Sequence, residues 1–127
     1  MALVGDAQLL MTALECLLGN AWKFSSRRAE AWIKVALLPG KTPQELVLQV
    51  SDNGVGFDAA YSDKLFTAFT RLHASADFPG NGLGLAIVKR VAARHGGHVW
   101  AETTEQVGSS FFMALPQPEA SQAALKR

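Results

Sequence analysis

The sequence predicts an α/β two-layer sandwich, in which a mixed, largely antiparallel sheet carries about three helices on one face. The predicted elements run in the order helix, two strands, short helices, loop, helix, two strands. Short turns join each strand pair, which favours antiparallel pairing, and the intervening helices are expected to share one face of the sheet. With 127 residues, 49% of them hydrophobic, the chain suffices for one core. We assign residues 1–116 to this domain and 117–127 to a fraying C-terminal tail.

Periodicity and turn residues locate the elements. The first helix is predicted over residues 6–24, because apolar residues recur at helical spacing and Asp6 is a suitable N-cap. The later elements follow in order: strands at 31–37 and 46–51, short helical turns at 59–69, a loop at 71–80, a helix at 82–95 closed by Gly96-Gly97, and strands at 98–103 and 109–115.

Composition excludes several classes of function. The net charge of +1 argues against a nucleic-acid surface or a polybasic membrane patch. The single Cys16 cannot form an internal disulfide and argues against a structural zinc site. The start of the chain lacks the features of a signal peptide, and no apolar run has the length of a membrane span. We expect a cytoplasmic domain without direct membrane contact, read as a fragment of a parent protein whose membrane status stays open.

One face of the first helix carries candidate ligand-binding side chains. Cys16, Asn20 and Lys23 are spaced i, i+4, i+7 and share a stripe, roughly opposite the apolar stripe of Leu14 and Leu17. An amide oxygen and an ammonium group suit a metal ion and phosphate oxygens. A polar helix face in water is the alternative interpretation.

Two Gly-rich segments suggest a bound nucleotide. Asp52-Asn53-Gly54-Val55-Gly56-Phe57-Asp58 follows an apolar strand, so its first carboxylate can accept a hydrogen bond from an exocyclic amine such as that of adenine. Its glycines allow a close approach to a flat ligand, although a plain tight turn has the same composition. Gly80-Asn81-Gly82-Leu83-Gly84-Leu85 opens a helix, where backbone N–H groups can bind phosphate. The second segment lacks the Gly-Lys-Ser/Thr of a Walker A loop and the preceding strand of a dinucleotide fingerprint.

Taken together and in order, these segments resemble the ATP-binding catalytic domain of sensor histidine kinases. The resemblance extends from about Leu3 to Pro116 and is carried by five boxes: the N box at 17–25, the G1 box at 52–58, the F box at 65–72, the G2 box at 80–88 and a last box at 108–116. Residues 71–80 and 94–97 are similar to phytochrome-type kinases.

The resemblance implies the Bergerat ATP-binding fold, histidine protein kinase activity, and the cofactors ATP and Mg²⁺. Asn20 would hold Mg²⁺ and Lys23 would reach the phosphates, both taking part in catalysis, while Asp52 would bind the adenine amine. The other nucleotide-binding positions that it implies are Gly54, Gly56, Phe57, Gly80, Gly82, Leu83, Gly84 and Leu85. Residues 58–80 would form a lid over ATP, with Phe66 and Phe69 anchoring its start. The implied partners are the dimerisation and phosphoacceptor His domain of the same kinase and a response regulator.

One position departs from the family pattern. The family usually has Asn four residues before Asn20, where this chain has Cys16, and a thiol is a poor ligand for Mg²⁺. This leaves the Mg²⁺ affinity and the phosphotransfer rate open, whereas adenine binding is expected to be unaffected. Gyrase-like ATPases carry a Glu at the Cys16 position, where it acts as general base for water. Because Cys16 cannot act as that base, ATP hydrolysis is not expected as the main activity.

The phosphoacceptor is also absent from its usual place. His73, His95 and His98 lie outside a His-Glu/Asp context on a helix ahead of the N box, so we predict structural or surface roles for them. The chain alone is expected to bind ATP and to lack histidine autophosphorylation. Another Bergerat-type ATPase or Ser kinase, and a degenerate nucleotide-binding or interaction module, remain alternatives.

Overall fold

A computed structural model describes residues 3–57, Phe66, 84–104 and 107–118 of the chain. Six elements lie in these residues: helix α1 (Ala7–Ser25), strands β1 (Ile33–Pro39) and β2 (Glu45–Asp52), helix α2 (Gly84–Arg94), and strands β3 (His98–Thr104) and β4 (Gly108–Pro116). Each agrees with a predicted element, with ends shifted by one or two residues. The short helical turns predicted at 59–69 lie, except for Phe66, outside the described residues, so two helices are described instead of about three.

The four strands form one open sheet in the order β1-β2-β4-β3, and the predicted two-layer sandwich is confirmed. The described strands are antiparallel throughout rather than mixed. The reason is that β4 inserts between β2 and β3, which run in the same direction. The connection through α2 therefore creates no parallel neighbours, and the two hairpins meet along β2 and β4.

The core lies between the sheet and the two helices. Helix α1 begins at the N-cap Asp6, whose Oδ1 accepts a hydrogen bond from the Leu9 N–H at 3.0 Å. Its buried face includes Ala13, Leu17, Ala21 and Phe24 at helical spacing. Strand β4 is buried on both faces: Phe111, Met113 and Leu115 face the helices, and Phe112 and Ala114 face the other side of the sheet. The largest fully buried side chains are Phe57, Phe111, Leu17, Met113, Leu115, Val50 and Val88. Burying each contributes on the order of 2 kcal/mol. Helix α1 packs mainly on β2, and α2 packs on β3 and β4.

The outer face of the sheet carries a smaller apolar cluster. Trp100 of β3 stacks on Phe112 of β4 with ring centroids 4.9 Å apart, and His98 stacks on Trp100 at 5.3 Å. His98 is exposed, as the sequence predicts for a surface residue.

The end of α2 is tied to the start of α1. Gly96 has φ 75°, and the Gly97 N–H donates to the Ala92 carbonyl at 2.8 Å, which confirms the predicted glycine C-cap. His95 accepts the Asp6 N–H at Nε2 (3.0 Å), while its Nδ1 donates to the Val91 carbonyl (2.8 Å). The side chain therefore has the predicted structural role.

The segment after β4 returns to the same end of the molecule. The side-chain amide of Gln117 bonds both backbone polar groups of Val4: its Oε1 accepts the N–H at 2.6 Å and its Nε2 donates to the carbonyl at 3.0 Å. Gln117, which the sequence analysis places in the tail, is thus attached to the domain. Residues 119–127 lie outside the described residues.

Candidate functional site

A buried carboxylate stands at the end of β2. Asp52 is only 3% exposed, its Oδ1 accepts the Gly54 N–H at 2.8 Å, and its Oδ2 accepts the Ser109 hydroxyl at 3.2 Å. Burial raises the pKa of Asp52 above its ordinary value of 3.8, and the hydrogen bonds from Gly54 and Ser109 partly oppose that rise. A carboxylate that is desolvated yet held by two donors is a fixed acceptor for a ligand N–H group.

The turn after Asp52 is packed so closely that side chains are excluded at two glycines. A Cβ on Gly54 would lie 2.3 Å from the Phe24 carbonyl oxygen of α1. A Cβ on Gly56 would lie 2.7 Å from the Thr104 carbonyl oxygen of β3, and Gly56 also has φ 69°. The two glycines predicted to shape a base pocket therefore lie where the turn contacts α1 on one side and β3 on the other.

Phe57 continues this turn into the core instead of lining an open surface. Its ring is 2% exposed and lies 6.0 Å, centroid to centroid, from that of Phe111. Its backbone is held by Thr103, whose hydroxyl accepts the Phe57 N–H at 2.9 Å. Phe57 thus anchors the end of the turn in the core. Phe66 packs edge-on against the same Phe111 ring, and Phe69 lies outside the described residues.

The ligand-binding stripe of α1 lies beside the core and not opposite it. Cys16, Asn20 and Lys23 are all half-buried, about 90° around the helix from the buried stripe that includes Leu17. The prediction that these three side chains lie opposite the core is wrong, because the sequence of α1 alone does not show that α2 packs beside them. The residues actually opposite the core are the exposed Met11, Glu15, Gly19 and Trp22.

Asn20 carries an unpaired polar group. Its Nδ2 is buried and has no hydrogen-bond partner, the one such side-chain atom among the described residues. Buried amide groups are normally paired, so an unsatisfied one needs a reason. Which end of the amide is nitrogen is an assignment, so the unpaired position can hold either the nitrogen or the oxygen of the Asn20 amide. This finding disfavours a merely solvated polar face.

Helix α2 begins beside the same stripe. A Cβ on Gly84, the first residue of α2, would lie 3.8 Å from the Cβ of Cys16. Leu85, predicted to bind the nucleotide, has its side chain in the core at 8% exposure, which leaves only its backbone for a ligand. The predicted phosphate-binding residues Gly80, Gly82 and Leu83 lie outside the described residues. Helix α1 thus contacts the start of α2 at Cys16 and the turn after Asp52 at Phe24.

The side chains at this position fit a hard metal ion only in part. The amide oxygen of Asn20 is a ligand that Mg²⁺ accepts. The thiol of Cys16 is not, and burial, followed by the negative charge of Glu15, raises the pKa of Cys16 and favours the neutral form.

Sequence reasoning missed three residues that hold the turn. Ser109 and Thr103 follow from the strand register, in which Asp52 pairs with Ser109 and Thr103 pairs with Ser109 from the other side. Arg28 donates from Nε to the Asn53 carbonyl at 2.8 Å and from Nη2 to the Gly54 carbonyl at 3.1 Å. Ser109 lay within a recognised box, but no sequence signal indicated Arg28.

The described residues thus form a two-layer α/β sandwich with a buried carboxylate at a glycine-lined strand end, next to the end of α1. The chain belongs to the histidine kinase-, DNA gyrase B-, and HSP90-like ATPase family, whose model matches residues 5–119.

Relatives with similar sequences include phytochromes and histidine kinases. Cyanobacterial phytochrome A of Nostoc sp. is 34% identical over 114 residues, which cover 90% of this chain and 14% of the phytochrome. The signal transduction histidine-protein kinase/phosphatase MprB of Mycobacterium sp. (strain KMS) is 39% identical over 116 residues, covering 88% of this chain and 22% of MprB. The chain therefore spans less than a quarter of these curated relatives.

Solved structures agree with the sequence relatives. The mycobacterial sensor histidine kinase MprB superposes with a TM-score of 0.78 at 30% identity, covering 91% of this chain and 78% of that chain. Full-length ShkA, solved in complex with AMPPNP, gives 0.74 at 28% identity over 88% of this chain and 22% of ShkA. The resemblance to histidine kinase catalytic domains is thereby confirmed. Among the described residues, the helices are too short or too polar to cross a membrane.

Proposed function

We propose that this domain binds Mg-ATP between α1, the turn after Asp52 and the start of α2, and that the parent kinase transfers the γ-phosphate to a His on a separate dimerisation domain. The observation that carries the proposal is the Asp52 carboxylate, buried and oriented by Gly54 and Ser109. The adenine amine would donate to this carboxylate, and the turn at Gly54 and Gly56 would leave room for the flat base. That the similar ShkA structure contains AMPPNP supports this assignment.

The phosphate end would lie along α1 toward α2. Asn20, whose buried amide nitrogen has no partner, would hold the metal ion. Lys23, half-buried three residues later, would bind the phosphate oxygens. Mg²⁺, when bound, would neutralise charge on the phosphates. The start of α2 at Gly84 would supply backbone N–H donors. Together with Gly80, Gly82 and Leu83, these groups would position the γ-phosphate for transfer.

The acceptor would come from outside this domain. Of the two histidines within the described residues, His95 is engaged at both ring nitrogens, and His98 stacks on Trp100 on the outer face of the sheet, away from the two helices. His73 lies outside the described residues. A response regulator would take the phosphate onward in a two-component pathway.

A second candidate is a nucleotide-binding module without phosphotransfer. The observation that favours it is Cys16, whose neutral thiol stands where the family usually supplies an amide oxygen for Mg²⁺. The same thiol is a poor general base, so hydrolysis of ATP is not proposed.

Calorimetric titration of the full chain with AMPPNP, with and without Mg²⁺, tests nucleotide binding. We expect binding in both conditions, and its loss in Asp52→Ala. Addition of a histidine kinase dimerisation domain together with ATP should then give acid-labile phosphohistidine on that domain and none on this chain. Binding without any phosphotransfer would select the second candidate, and no binding would refute both.

A further inference from the structure

Arg28 follows α1, contacts the turn after Asp52 and is not among the residues assigned to the candidate site by the sequence. Its guanidinium is partly buried, and it donates from Nε to the Asn53 carbonyl (2.8 Å) and from Nη2 to the Gly54 carbonyl (3.1 Å). A fork of two N–H groups on two successive carbonyls fixes direction as well as distance, which a lysine cannot reproduce.

The carbonyl held by Arg28 belongs to the peptide group that orients Asp52. The Asn53 carbonyl and the Gly54 N–H are two ends of one planar unit, so fixing one fixes the other. The Gly54 N–H is the donor to the Asp52 Oδ1 at 2.8 Å. A cation on the carbonyl also polarises the peptide, which strengthens that N–H as a donor.

The same peptide is held from its other side by the Asn53 side chain. Its Oδ1 accepts the Trp32 N–H at 2.9 Å, and its Nδ2 donates to the Glu30 carbonyl at 2.9 Å. The turn and the segment after α1 are therefore joined reciprocally, each contributing one side chain to the backbone of the other. The Val55 N–H adds a bond to the Phe24 carbonyl at 3.3 Å.

We infer that Arg28 is a positioning residue for base recognition: through the Asn53–Gly54 peptide it aims the Asp52 carboxylate at the exocyclic amine of the nucleotide. Arg28 itself makes no contact with the base. The inference rests on the proposed function and adds to it a residue that sets selectivity for amine-bearing purines.

The test compares ATP with purine riboside triphosphate, which differs from ATP only in lacking the exocyclic amine. The full chain and its variants are titrated with both ligands, and melting temperatures are recorded alongside. We expect Arg28→Ala to weaken ATP binding about tenfold, the effect of about one charge-assisted hydrogen bond, and to leave the analogue nearly unaffected. Arg28→Lys should restore part of the preference. Arg27→Ala, which removes the exposed neighbouring arginine, is the matched control and should keep the wild-type ratio.

The ratio of the two affinities separates positioning from a general structural role. Loosening of the whole domain would weaken both ligands equally, and that outcome, or an unchanged ratio in Arg28→Ala, overturns the inference. If Arg28→Ala does not fold, the ratio in Arg28→Lys and Arg28→Gln decides the question. Wild-type protein that binds neither ligand would refute the proposed function itself, whereas binding without loss of preference in the variants refutes only the role of Arg28.

Discussion

Replacing Gly54 with alanine should damage both the fold and the candidate site, because the turn leaves no space for a methyl group. The added Cβ would lie 2.3 Å from the Phe24 carbonyl oxygen, 2.6 Å from its carbon and 2.8 Å from the Asp52 Oδ1. Two of these neighbours are backbone atoms of α1 and cannot rotate away. The turn must therefore shift outward, which breaks the Val55 N–H bond to Phe24 and moves the Asp52 carboxylate.

The magnitude follows from these contacts. Overpacking costs about 1–3 kcal/mol, and the lost hydrogen bond adds about 1 kcal/mol. A total of roughly 3 kcal/mol corresponds to a melting temperature lower by about 10 °C in a domain of this size. Nucleotide affinity should fall as well, since the carboxylate loses its orientation. Thermal denaturation followed by circular dichroism, with AMPPNP titration at a temperature where the variant is folded, measures both effects.

Gly19 provides the matched control. A Cβ at Gly19 has no neighbour within 4 Å, and the residue is exposed inside α1. Gly19→Ala should therefore raise the stability by about 0.5–1 kcal/mol through helix propensity alone. If Gly54→Ala has the same melting temperature as the wild type, or if Gly19→Ala is equally destabilising, the explanation by the close approach of Gly54 to Phe24 is wrong.

Three further changes address the metal, the buried charge and the helix connection. Cys16→Asn should strengthen the Mg²⁺-dependent part of AMPPNP binding about tenfold, as expected for one added oxygen ligand, and leave the metal-free affinity unchanged. Asp52→Asn should melt above the wild type at neutral pH by a margin that shrinks in acid, while losing nucleotide affinity. His95→Ala removes hydrogen bonds to Asp6 and Val91 and should lower the free energy of unfolding, measured by urea denaturation, by about 2 kcal/mol.

Proton linkage determines how the stability difference between Asp52→Asn and the wild type changes with pH. Its pKa is raised above 3.8 in the folded protein, so the native state binds the proton more readily than the unfolded chain. The stabilisation that comes from the protonated Asp52 side chain is fully present below pH 3.8, and it is lost as the pH rises through the pKa of Asp52 in the folded protein. A stability margin of Asp52→Asn that grows in acid would contradict this assignment.

The other two predictions have their own controls. Cys16→Ala should keep the wild-type Mg²⁺ dependence, because the neutral thiol is not expected to be a ligand. If Cys16→Asn shows the same Mg²⁺ dependence as Cys16→Ala, position 16 does not contact the metal. An unchanged urea midpoint in His95→Ala would mean that the link between the helices carries no net stability.

Local signals in the sequence were sufficient to locate most elements. Asp6 is an N-cap, and Gly96 adopts the left-handed conformation of a helix C-cap, because both depend on neighbours within a few residues. Asp52 was identified because a carboxylate at a strand end before glycines is a local pattern. The exact strand ends varied by one or two residues, as is usual where pairing partners decide them.

Non-local contacts were the part that the sequence could not supply. The pairing of Asp52 with Ser109 depends on β4 inserting beside β2, which no periodicity indicates. The half-burial of Cys16 depends on α2 arriving beside α1, so its angle to the core was misjudged. Arg28 was missed for the same reason, since its partners lie 25 and 26 residues away along the chain.

The bonds between Gln117 and Val4 place both ends of the folded unit at one pole of α1. The turn after Asp52 contacts α1 near its other pole, at Phe24, and α1 spans 19 residues, or about 28 Å. Any polypeptide joined before Val4 and any joined after Gln117 would therefore leave the domain side by side, far from the turn after Asp52. Under the proposed function, a force applied at that pole would reach the nucleotide site through α1, without direct contact between the parent protein and that site.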